Sequence, residues 1–115
     1  MISIGNIADW ILRNRKNKTF KNQTFEQICH LLTYCANNLT MLCITEDNSI
    51  VGVVCCKKNI DTKVMFVYEI LALKSGIIKQ MLQWFRLNYP QYTLEAKRHG
   101  RFVKYINVNK LINKI

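Results

Sequence analysis

The stretch Lys63–Tyr89, KVMFVYEILALKSGIIKQMLQWFRLNY, decides how this chain folds. Its first part, through Leu73, is nearly continuous in apolar residues. Val64, Phe66, Val67, Ile70 and Leu71 are of the branched and aromatic types that fit a pleated surface. Such a run predicts a strand buried on both faces, with Glu69 the one carboxylate inside it. Its second part repeats apolar residues at Ile77, Ile78, Met81, Leu82 and Phe85, the spacing of a helix over 76–88 with one buried stripe. Between the two, Ser75 is the expected helix cap and Gly76 permits close backbone approach. A helix that starts at the end of a buried strand presents free N–H groups and a positive dipole end. The junction is therefore a candidate anion site.

Upstream, Leu39–Thr45 and Ile50–Cys56 read as strands on either side of the turn Glu46-Asp47-Asn48-Ser49. The polar segment Lys57–Thr62 then reverses the chain into the central run, so that three antiparallel strands form a meander. The N-terminal third has helical period. Ile2 to about Asn14 is a short helix capped by Ser3 or Asn6, with Ile7, Trp10 and Ile11 as its stripe. A basic connection follows through Arg13, Arg15, Lys16, Lys18 and Lys21, which reads as a solvated loop. Thr24 opens a second helix, with Gln27 completing a capping-box pattern and Phe25, Ile28, Leu31, Leu32 and Cys35 forming the apolar face. His30 lies beside that face as a surface or boundary histidine.

Downstream, Pro90 disfavours helical geometry at Tyr89, and Tyr92–Ala96 alternates as a short strand leading to the polar junction Lys97–Arg101. The strand–helix–strand unit allows a right-handed crossover with parallel neighbours. The tail from Phe102 carries both periods. Phe102, Ile106 and Ile112 fit a helix, whereas residues 103–106 also alternate as a strand would; the reading adopted is a helix.

Composition narrows the class. A chain of 115 residues, half of them hydrophobic, predicts one globular domain over 1–115 with a single core. No apolar run reaches the roughly 18 residues of a membrane span, and the apolar start precedes the basic run, the reverse of a signal peptide. The five cysteines lie mostly among apolar residues, and Cys55 and Cys56 are adjacent in a strand, where side chains point to opposite faces. Buried thiols in a reducing, cytoplasmic setting are expected. No spacing of Cys or His suggests a metal. The net charge of +10 would attract the phosphates of a nucleotide cofactor, RNA or DNA, or an acidic protein. The abundance of Asn, Lys and Ile is also what an AT-rich genome encodes. Base-stacking aromatic pairs and helix-turn-helix or RNP-like signatures are not evident, which counts against a dedicated nucleic-acid module.

The order of two helices, a meander, a helix after the third strand, a further strand and a basic C-terminal segment resembles the core of the GNAT acetyltransferase superfamily. Three stretches carry the resemblance. ITEDNSIVGVV resembles the family's hairpin, whose polar turn leads into a strand with a glycine, here Gly52. FVYEILALKSGIIKQMLQWF resembles its central strand, pyrophosphate loop and following helix, and AKRHGRFVKY its strand end and last core helix. Laid on the family signature Q/R-x-x-G-x-G/A, Leu73 takes the first position, Gly76 the first glycine and Ile78 the final small residue, so only Gly76 matches.

The resemblance implies an α/β (α+β) GNAT-like fold and transfer of an acetyl group from acetyl-CoA to an amine acceptor. It implies that Leu71, Ala72 and Leu73 pair with the pantetheine arm, and that Lys74, Ser75, Gly76 and Ile77 hold the pyrophosphate. Glu69 matches the position of a general base in some members, and Tyr105 would be the acid that protonates the leaving thiolate. Taken by themselves, Glu69 also fits a structural carboxylate, Tyr105 a boundary aromatic and His99 part of a solvated basic turn. Compact Lys/Asn-rich chains of this kind also resemble bacteriophage proteins, some virion-associated. That implies an alternative in which a non-catalytic GNAT fold, in the host cytoplasm or a virion, binds protein partners.

Overall fold

Local chemistry starts each of the first two helices where the sequence places a cap. The computed structural model describes residues 2–15, 20–98 and 101–105, without the side chains of 97, 98 and 101–105. The Ser3 hydroxyl accepts from the Asn6 N–H at 3.1 Å and opens α1 (Ile4–Asn14). Thr24 opens α2 (Phe25–Asn37) with a complete capping box: its hydroxyl accepts from the Gln27 N–H, and the Gln27 side chain accepts from the Thr24 N–H. The buried stripe of α1 is Ile7, Ala8, Trp10 and Ile11; that of α2 is Ile28, Leu32 and Cys35. Phe25, expected on the inner face of α2, is exposed.

The strands follow: β1 (Met41–Glu46), β2 (Ser49–Asn59), β3 (Val64–Ala72), then after α3 (Ser75–Asn88), β4 (Thr93–Arg98) and β5 (Arg101–Tyr105). The β1–β2 hairpin turns through Asp47 and Asn48, at φ 51° and 64°. Left-handed geometry at both central residues suits the right-handed twist of the flanking strands, and Asp and Asn tolerate it. At the β2–β3 reversal the Asn59 carboxamide oxygen accepts from the N–H groups of Asp61 and Thr62, both at 3.1 Å.

The molecule is a mixed α+β fold. Its sheet runs in the order β1-β2-β3-β4-β5, with the β3–β4 pair parallel and the other three pairs antiparallel. One face packs on α1 and α2 through Val53, Cys55 and Leu71; the other packs on α3 through Val54, Cys56 and Met65. Gly52 has a packing reason. A Cβ there would run into Ile77 and come within 2.8 Å of the Met81 methyl, so its absence lets α3 lie close on β2. All five cysteines are free thiols. Cys35 donates to the Cys56 carbonyl at 3.3 Å, and its contact with Cys55, together with burial, pushes the Cys55 thiol far up.

Three expectations are corrected. Residues 101–105 form a strand instead of the start of a helix; β4 offers them an open edge, and Phe102, Val103 and Tyr105 are good strand formers. The remainder of the tail, 106–115, lies outside the described residues, as do Lys16, Lys18 and His99. Ser75 does not cap α3: Lys74 is the N-cap, in extended geometry, with no side-chain cap bond. Finally, β3 is central but is not buried on both faces throughout, since Tyr68 and Ile70 are 42% and 36% exposed.

Candidate functional site

The cause of that exposure is one extra residue. Cys56 pairs with Val67 and Cys55 with Glu69, so Tyr68 is a β-bulge in β3. Bulges bend a strand and increase its twist. Before the bulge, Met65 and Val67 face α3; after it, Leu71 faces α1 and α2. Alternation is thereby reset by one residue, which turns the Glu69 carboxylate toward the α1–α2 connection. The bulge also marks where β3 and β4 part company. Their parallel pairing covers Val64–Val67 against Thr93–Ala96, and residues 68–72 have no β4 partner among the described residues.

The opened edge of β3 leads to the start of α3. Leu73 is still tied to β2, its N–H donating to the Val51 carbonyl at 3.1 Å, while its side chain is 54% exposed. Among the described helices, α3 alone begins without a side-chain cap, so the N–H groups of Ser75 and Gly76 keep their capacity to meet an anion. Gly76 is exposed, and a Cβ there would meet nothing within 4 Å. Lys74 is engaged by Glu46 from the β1–β2 hairpin at 3.3 Å, a solvent-exposed pair of small energetic weight. Ile77 is buried beneath the helix over Gly52, and Ala72 is half-buried.

Glu69 is bound on both oxygens. One accepts from the Phe20 N–H at 2.8 Å, the other from the Gln23 carboxamide at 3.3 Å. Arg15 secures the same segment from the other side by donating to the carbonyls of Phe20 and Gln23 at 2.8 and 2.7 Å. Burial raises the Glu69 pKa above the ordinary carboxylate value, partly offset by the Phe20 hydrogen bond. The carboxylate is the peg on which the α1–α2 connection hangs.

The structure brings Glu69, Leu71–Ile77 and the splayed strand edge into one continuous region. It does not bring Tyr105 there. Tyr105 is in register with Leu94, which is in register with Met65, two strands across and four residues back along the sheet. At ordinary strand spacings that leaves on the order of 15 Å between the Cα positions of Tyr105 and Glu69.

Compared with known proteins, the chain matches no family model, no curated protein and no solved structure. Sequence reasoning missed Phe20, Gln23 and Glu46, because each acts through a partner more than 25 residues away. It also missed an aromatic cluster of Trp84, Tyr89 and Tyr92 at the far end of α3. The short Tyr89–Tyr92 interval was the one local signal for it.

Proposed function

We propose that the chain is a small GNAT-like acyltransferase that binds acetyl-CoA in the cleft between β3 and β4 and passes the acetyl group to an amine. The observation that carries this reading is the parting of two parallel strands at the Tyr68 bulge, directly before an uncapped helix start. The exposed backbone edge at 68–72 supplies hydrogen-bonding groups for an amide-containing arm. The N–H groups at Ser75 and Gly76 supply an anion site for a pyrophosphate, with the Ile77 N–H donating instead to the Lys74 carbonyl at 3.1 Å. Lys74 would exchange Glu46 for phosphate. Glu69, with its raised pKa, is the base that removes a proton from the amine before nitrogen attacks the thioester carbon and the thiolate leaves.

A second reading rests on the occupancy of Glu69. A carboxylate already committed to Phe20 and Gln23 is a structural peg, and a fold that binds without turnover would serve as a binding or virion component.

Calorimetry with acetyl-CoA tests both. A micromolar dissociation constant, about −8 kcal/mol, is expected. Gly76→Asp should abolish binding by placing a negative charge on the anion site, and it should leave folding intact because the side chain enters open space. Glu69→Gln should retain binding and slow transfer by roughly 10²–10⁴-fold. Binding without transfer to any amine selects the second reading; no binding at millimolar acetyl-CoA removes the first.

A further inference from the structure

The C-terminal end of α3 gathers residues that the sequence scatters. The Trp84 and Tyr89 rings meet edge to face with centroids 5.8 Å apart, and Tyr89 meets Tyr92 in the same way at 5.5 Å. Lys58, near the end of β2, reaches to 5.7 Å from the Tyr89 ring centre, and Lys63, at the entry to β3, to 5.4 Å from that of Tyr92. The Tyr89 hydroxyl donates to the Leu39 carbonyl at 2.6 Å, which pins its ring against the α2–β1 connection. Beside the rings a groove of about 700 Å³ opens among Leu39, Met41, Lys58, Trp84, Asn88 and Tyr89. Among the described residues that line it, none is acidic. All three rings are half-buried, so each is held in place and still reaches solvent.

Held aromatic surfaces interleaved with lysines suit one kind of partner. An unpaired base can stack on an aromatic side chain whatever its identity, while cations at the rim track the phosphates. A duplex keeps its bases stacked inside and cannot reach half-buried rings. The net charge of +10 adds long-range attraction for a polyanion. We propose that this aromatic–lysine patch binds single-stranded nucleic acid, with bases on Trp84, Tyr89 and Tyr92 and phosphates at Lys58 and Lys63. The patch and the α3 N-terminus lie at opposite ends of a 14-residue helix, about 20 Å long. The proposal therefore stands apart from the acyl-transfer reading.

The test uses labelled decathymidylate and decauridylate for affinity and Trp84 emission for stacking, in a Trp10→Phe background because the other tryptophan is buried in the α1 layer. Binding should be saturable, weaken linearly in log–log form with salt, and quench Trp84. Lys58→Glu with Lys63→Glu should reduce the salt slope by about 1.4, the value for two single-strand phosphate contacts. Tyr92→Leu should weaken binding roughly tenfold, with an unchanged melting curve confirming the fold. A control of equal charge, Lys21→Glu with Lys79→Glu, should retain the quenching. The proposal is overturned if duplex binds as tightly as single strand, or if both charge pairs weaken binding equally with Trp84 unquenched. It is also overturned if polyglutamate is preferred over the oligonucleotides, which would indicate an acidic protein partner, or if neither oligonucleotide binds at low salt.

Discussion

The two halves of β3 share a strand and differ in almost everything else. Val64–Val67 is paired on both edges, and its inward side chains Met65 and Val67 pack against α3. Glu69–Ala72 is paired with β2 alone among the described strands, lends Leu71 to the opposite layer, and carries the Glu69 carboxylate bonded to Phe20 and Gln23 of the α1–α2 connection. Tyr68 separates them. One inserted residue shifts the β2–β3 register by one and turns a strand paired on both edges into one paired on a single edge, while β2–β3 pairing continues on both sides of it.

The largest expected effect bears on the closed half. Leu82 of α3 is buried between the helix and the sheet, and Leu82→Ala should cost roughly 2–5 kcal/mol in chemical denaturation. Amide exchange at Phe20 should stay slow, because its bond to Glu69 lies in the other layer. A parent-like melt would show that α3 does not depend on this face.

Gly52→Ala probes the open half, since Gly52 is in register with Ala72 and lies under Ile77 and Met81. Overpacking there should cost about 1–3 kcal/mol and lift the first turn of α3, seen as faster amide exchange at 77–81. Unchanged exchange would mean that the helix start is held by something other than this contact.

Deleting Tyr68 removes the bulge that separates the two halves of β3. The Cys56–Val67 and Cys55–Glu69 pairings of the parent are compatible with the deletion, so the chain should still unfold cooperatively. The strand should straighten, pair further with β4, and protect new amides at 69 and 70 while acetyl-CoA binding is lost. The parent exchange pattern in the deletion variant would separate the bulge from the opening.

The smallest effect is a change of slope. Burial raises the folded pKa of Glu69 above the unfolded value of about 4.3. In the window just above that value the folded state therefore binds more protons than the unfolded one. Stability contributed by this group is present at lower pH and declines as pH rises through the folded pKa. Glu69→Gln should remove that decline from the pH dependence of the denaturation midpoint. An identical slope in the variant would mean that the carboxyl titrates as in water.

The element order was largely legible. Ser3 and Thr24 announce their helices with side chains that satisfy nearby N–H groups, and the Asp47-Asn48 turn carries its own left-handed preference. Lys74 escaped because an uncapped start leaves no local mark. The stretch 101–105 escaped because its two periods balance, and the open edge of β4 tipped it to strand. The candidate site was legible as a place, the junction at 73–77, and not as a set of partners.

What the sequence determined by itself is whatever depends on neighbours within a turn or two: caps, hairpin, the stripe of α3, and the apolar character of β3. Tertiary structure alone decided the bulge at Tyr68, the parting of β3 from β4, the tie from Glu69 to Phe20, and the meeting of Lys58 and Lys63 with Tyr89 and Tyr92. The physical reason is range. A cap or turn is settled by hydrogen bonds a few residues long, whereas a bulge is a mismatch between two strands, each regular on its own, and exists only once they are paired.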